Sequence, residues 1–156
     1  MQAFSYFIDR GSGRYDPFMS YEIAPDECYA RQLCTYLVAG ERQFKLLANE
    51  MDGDTELLIL EEIGANAAYP DENHYRGQGI FIEFRQPSRS GMLLATLPCA
   101  THFDVIRYLL KDVVEVPGHG QMYTTSAEVD ENRGCYVIYV RGLQEPDPDM
   151  RASTRF

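Results

Sequence analysis

Polar and apolar residues alternate along most of this chain, and only two stretches switch to helical spacing. "AFSYFI" at 3–8 ends in the turn cluster "DRGSG" and predicts a strand. "FMSYEI" at 18–23 predicts a second strand, stopped by Pro25. From Asp26 the period lengthens: Tyr29, Ala30, Leu33, Leu37 and Val38 recur at helical spacing, acids open the segment and Gly40 closes it. Residues 28–38 also admit a strand, because Ala30, Cys34, Tyr36 and Val38 share one parity. Strands at 43–51 and 55–63 flank "DGDT", and Asp-Gly between apolar runs signals a hairpin.

A polar connection at 64–78 leads to a second series. "GIFIEF" (79–84) and "MLLATL" (92–97) predict strands around the turn "QPSRSG", the second stopped by Pro98. The helix predicted at 101–114 is opened by Thr101 with Asp104 three residues on, and Phe103, Ile106, Leu109, Leu110 and Val113 form its stripe. Strands at 121–129 and 135–141 follow around "DENRG", and 144–156 lacks an apolar period and is expected to be disordered.

The two series have the same order: strand, strand, helix, strand, strand. At an offset of 78 residues Gln43 meets Gln121, Glu50 meets Glu128, Asp52 meets Asp130, and Ser12-Gly13 meets Ser90-Gly91. Removing five residues from the first hairpin pairs Met19 with Met92 and Pro25 with Pro98, a shift that also overlays the two predicted helices. The expectation is one α+β domain at 1–143 made of tandem repeats 1–63 and 79–141 joined by linker 64–78.

Charge and composition narrow the partners. The formal net charge is −10, and Lys45 and Lys111 are the only lysines, so no basic cluster suits nucleic acid. Excess acid suits a cationic ligand or a basic protein partner, or serves solubility alone. No apolar run is long enough to span a bilayer and no signal-peptide pattern opens the chain, so a cytoplasmic location is expected, with no membrane partner. Cys28, Cys34, Cys99 and Cys135 sit in apolar stretches without CxxC spacing and predict reduced, buried thiols. His74, His102 and His119 make no metal motif, and no Ser-centred elbow or phosphate loop appears, so no metal or cofactor is expected and an enzyme is the weaker reading.

The duplicated element order resembles the GyrI-like effector-binding fold of gyrase-inhibitor proteins and multidrug-responsive regulators, over 1 to about 143. The resemblance implies an antiparallel sheet from two pseudo-symmetric β-β-α-β-β units, with both helices on one face. It also implies a cleft on the other face, at the seam, that takes small aromatic, often cationic, molecules between aromatic side chains and a glutamate. That glutamate precedes a tyrosine by two residues; here the matching stretch is Gln121-Met122-Tyr123, with an amide replacing the acid.

Strand parity places candidates for that cleft independently. Phe44, Leu46 and Ala48 are assigned to the helix side, leaving Gln43, Lys45, Leu47 and Asn49 open. The second copy opens Gln121, Tyr123, Thr125 and Ala127, and strand 79–84 opens Phe81 and Glu83; Glu22, Glu61 and Tyr139 join from the outer strands. The candidate ligand-binding set is thus Glu22, Gln43, Glu61, Phe81, Glu83, Gln121, Tyr123 and Tyr139. Rings and a carboxylate suit a flat cation, with Glu83 as the counter-charge. The rival expectation is an acidic inhibitor or immunity-like module covering a basic site on another protein.

Overall fold

A computed structural model describes residues 1–87 and 91–144, so the tail expected at 144–156 lies outside the described residues but for Gln144. Among the described residues the first series runs β1 (Gln2–Gly11), β2 (Arg14–Ile23), α1 (Pro25–Gln32), β3 (Tyr36–Ala39), β4 (Arg42–Asp52) and β5 (Thr55–Ala65). The second runs β6 (Ile80–Arg85), β7 (Leu93–Cys99), α2 (His102–Leu109), β8 (Val113–Val116), β9 (Gly120–Asp130) and β10 (Cys135–Gly142). The architecture is α+β: one large sheet and two helices.

The strand order is β2-β1-β5-β4-β3-β9-β10-β6-β7, with β8 paired to β9 off this path. Pairing is mostly antiparallel; β1 with β5, β3 with β9 and β10 with β6 are parallel. The β4–β5 hairpin turns where "DGDT" predicts it, with Gly53 at φ +58°, a conformation glycine adopts at little steric cost.

Three expectations are corrected. Residues 28–38 are not one helix: α1 ends at Gln32, and Tyr36–Ala39 form β3. The helix expected to 114 stops at Leu109, and Val113–Val116 form β8, so among the described residues the sheet has ten strands rather than about eight. Both short strands are claimed by distant partners, β3 by β4 and β9, β8 by β9, which outweighs a local period that fits either state. The five-residue shift that paired Pro25 with Pro98 does not hold either: Pro25 opens α1 whereas Pro98 lies inside β7, and the helices start 77 positions apart.

Both helices pack against each other and into one core, with Cys28 and Ala30 of α1 and Val105 of α2 fully buried beside Phe44, Ile82 and Phe84. Of the stripe expected on α2, Ile106 and Leu109 do pack against the core, but Phe103 and Leu110 are 69% and 64% exposed, and Val105, outside that stripe, is fully buried. Cys28, Cys34 and Cys135 are free and buried, and Cys99 is free and half-buried. Burial pushes all four thiols above their ordinary range. No helix among the described residues is long and apolar enough to cross a membrane.

The α2 N-terminus is held as its sequence predicts. Asp104 accepts the backbone N–H groups of Ala100 at 3.1 Å and Thr101 at 3.2 Å. Asp104→Ala is expected to destabilise by about 1 kcal/mol, the usual worth of such a cap. Urea titration should show a lower midpoint at unchanged slope.

Candidate functional site

Strand alternation gives the sheet two unlike faces. In β10, Tyr136, Ile138 and Val140 enter the main core, whereas Cys135 and Val137 join a second, smaller cluster with Tyr75, Phe81 and Tyr139. The second cluster marks an outer face, and strand register reads its residues across the sheet. One row runs Glu61 (β5), Lys45 (β4), Tyr36 (β3), Glu128 (β9), Val137 (β10) and Glu83 (β6). An adjacent row places Gln43, Val38, Asp130 and Cys135 together, and Tyr139 lies opposite Arg85.

This face carries a buried polar network. Glu83, with no exposed surface, accepts Arg85 Nε at 2.8 Å on Oε1, and Arg133 Nη1 at 2.8 Å and the Tyr75 hydroxyl at 2.6 Å on Oε2. Arg133 also donates Nε to Asp130 at 2.7 Å, and Arg85 donates Nη1 to Asp71 at 2.7 Å. Burial alone would raise the Glu83 carboxyl's pKa, yet the hydrogen bonds from Arg133, Arg85 and Tyr75 prevail and hold it below the usual value.

Glu128 is the contrasting acid. It is 1% exposed and sits where β9 of the second series meets β3 of the first. Gln43 Nε2 donates to Oε1 at 3.3 Å, and the Tyr139 hydroxyl donates to Oε2 at 3.4 Å. Burial, then the charge of Asp130, pushes its pKa up to about 7, against the pull of Gln43, Arg133 and Tyr139.

Part of the expected set is gathered on this patch. Phe81 packs on Tyr75 with ring centroids 4.9 Å apart, Glu83 is the hub of the ion pairs, and Gln43 and Tyr139 hold Glu128. Glu61 shares the row of Glu128 but is exposed, opposite Lys45. Gln121 and Tyr123 lie further back along β9, Gln121 seven residues and roughly 20 Å from Glu128 at ordinary strand rise. There Gln121 is exposed and the Arg141 guanidinium covers the Tyr123 ring at 4.4 Å. Glu22 is exposed on β2, at one end of the strand order.

Three face assignments are corrected. Glu83 is on the outer face but is not open, because the connection between the series folds over it and supplies Tyr69, Asp71 and Tyr75. Ala127 packs against the main core, and Glu128 takes the outer face in its place. A register shift between Tyr139 and Val140 leaves Thr125 unpaired and reverses the phase of β9 beyond it. A similar shift at Leu47 reverses β4, so that Asn49, not Ala48, lies on the helix side, where it donates to the Gln32 carbonyl at 3.3 Å.

The missed residues are thus Tyr36, Tyr69, Asp71, Tyr75, Arg85, Glu128, Asp130 and Arg133. A signal for Glu128 exists: apolar Met122 and Val129 both belong inside, and seven residues cannot separate two same-face positions without a bulge.

A cavity of about 240 Å³ opens beside α1, lined by Glu27, Arg31, His102, Glu131 and Tyr136 and bordered by Phe81 and Asp130 of this patch. Its Arg31 is paired with Glu27 and Glu131 and donates to the Tyr6 hydroxyl, so its charge is matched within the chain. No family model matches the chain, and neither does any curated protein or any solved structure.

Proposed function

We propose that this chain is a small-molecule-binding protein of the GyrI-like kind, two pseudo-symmetric units with both helices on one face and the ligand on the outer face where the units meet. The strand pairing supports the repeat: β2-β1-β5-β4-β3 in the first series is matched by β7-β6-β10-β9-β8 in the second. The matched helices have eight residues each, and β4 and β9 eleven.

The observation that carries the reading is Glu128, a buried carboxyl at the junction, contacted by Gln43 from the other unit and by Tyr139. A carboxyl with a raised pKa between two neutral donors costs stability, and folds keep such groups at sites of use. Tyr36, Tyr69 and Tyr139 supply aromatic surface close to it.

Thermal-shift screening with small aromatic molecules of positive, neutral and negative charge tests the proposal. A ligand at a hundred times its dissociation constant is expected to stabilise by about 2.7 kcal/mol, and Glu128→Gln should change its affinity. The reading fails if no charge class shifts the melting temperature. A stoichiometric basic protein captured instead, with a salt-sensitive on-rate, would favour the acidic-inhibitor reading. For that reading the exposed acids Glu50, Asp52, Asp54 and Glu61 are the contact surface.

A further inference from the structure

The segment that folds over the outer face is chemically specific. The Tyr69 ring stacks on two guanidinium groups, its centroid 3.8 Å from Arg85 Cζ and 5.3 Å from Arg133 Cζ. Its hydroxyl meets the Tyr139 hydroxyl. Two residues on, Asp71 accepts Arg85 Nη1 at 2.7 Å on one oxygen and the Leu93 backbone N–H at 3.1 Å on the other. The fit is close, since a Cβ added at Gly91 would lie 2.7 Å from the Tyr69 ring.

Beneath the ring the network is unfinished. Arg85 and Arg133 are 0% and 1% exposed, and each has a buried Nη2 without a hydrogen-bond partner among the described residues. A buried donor left unmade is costly, so each guanidinium has unused capacity for a planar acceptor. Without Tyr69 and Asp71, two acids (Glu83 and Asp130) would balance two arginines, and Arg85 would have lost a carboxylate. What restores contact is a ring stacked on Arg85, a hydroxyl at Tyr139 and a carboxylate at Arg85 Nη1.

We propose that the space under this segment is a binding site for small hydroxyaryl carboxylates, which Tyr69 and Asp71 occupy from within the chain. The inference rests on the small-molecule reading and gives it a ligand class. It departs from the flat cation that the sequence suggests, because the faces open to a ring here are guanidinium groups and Glu83 is already paired. Binding requires the ligand to displace Tyr69 and Asp71, so the intact chain binds with an affinity reduced by the fraction of time the segment is lifted.

Titration calorimetry with 4-hydroxyphenylacetate and its uncharged amide, on the wild type and on Tyr69→Ala/Asp71→Ala, tests this. The double variant is expected to bind the acid about tenfold more tightly than the wild type, and the amide about tenfold more weakly than the acid. Should the double variant not fold, Asp71→Asn, at a side chain 43% exposed, carries the same comparison with an expected gain of about threefold. Equal binding of acid and amide, or no gain in either variant, overturns the inference. Uptake of an aromatic cation but not the acid overturns it while leaving the small-molecule reading intact; uptake of no charge class overturns both.

Discussion

Glu83→Gln is expected to cost about 3–5 kcal/mol of folding stability, the range for breaking a buried ion pair from one side. Both Glu83 oxygens are engaged, and an amide can keep only one acceptor while turning an N–H₂ group towards a guanidinium. Arg133 would retain Asp130 and Arg85 would retain Asp71, but each would lose its fully buried counter-charge. Urea denaturation at neutral pH measures the effect. Because the Glu83 pKa is held below its ordinary value, the stability it supplies is present above the usual glutamate range and is lost as pH falls through the lowered value. The gap between wild type and variant should therefore close in acid. A loss under about 1 kcal/mol, the scale of an exposed pair, would mean that the network is solvated. A ligand-binding acid on an open face, the role the sequence suggests for Glu83, would weaken a ligand on mutation and barely touch the fold.

That reversal shows where sequence pattern stops being informative. The face of Glu83 is legible, because Ile82 and Phe84 on either side are apolar. Its burial is not, because the cover comes from residues 69–75, a polar stretch without a period whose tyrosines and aspartate find partners only across the fold. Strand phase is legible until a bulge intervenes: Gln121 and Tyr123 are placed on the outer face, and beyond Thr125 each residue changes sides. "YLVA" at 36–39 fits a helix or a strand equally well, and its parallel pairing with β9, some ninety residues away, decides the matter. The hairpin at Gly53 and the start of α2 at Asp104 are local devices, and both stand where the sequence places them.

Glu128→Gln is expected to act in the opposite direction, stabilising the protein at pH 8. The Glu128 pKa is raised in the fold to about 7 from an ordinary 4.5. Between those values the folded chain holds a proton that the unfolded chain releases, so raising the pH favours unfolding. The stability linked to this proton is complete below pH 4.5 and is lost as pH rises through 7, a total of about 3 kcal/mol at 1.36 kcal/mol per unit. A glutamine cannot ionise. It can accept from Gln43 through its oxygen and donate from its amide nitrogen to the Tyr139 hydroxyl, so both contacts survive in form. Denaturation of both proteins from pH 5 to pH 8 isolates the group, since other titrations are common to the pair. Similar stabilities are expected at pH 5, and an advantage for the variant that grows to between about 1 and 3 kcal/mol at pH 8. Parallel profiles would show that Glu128 ionises freely in the fold, and the junction would then lose the strained acid on which its reading as a binding site depends.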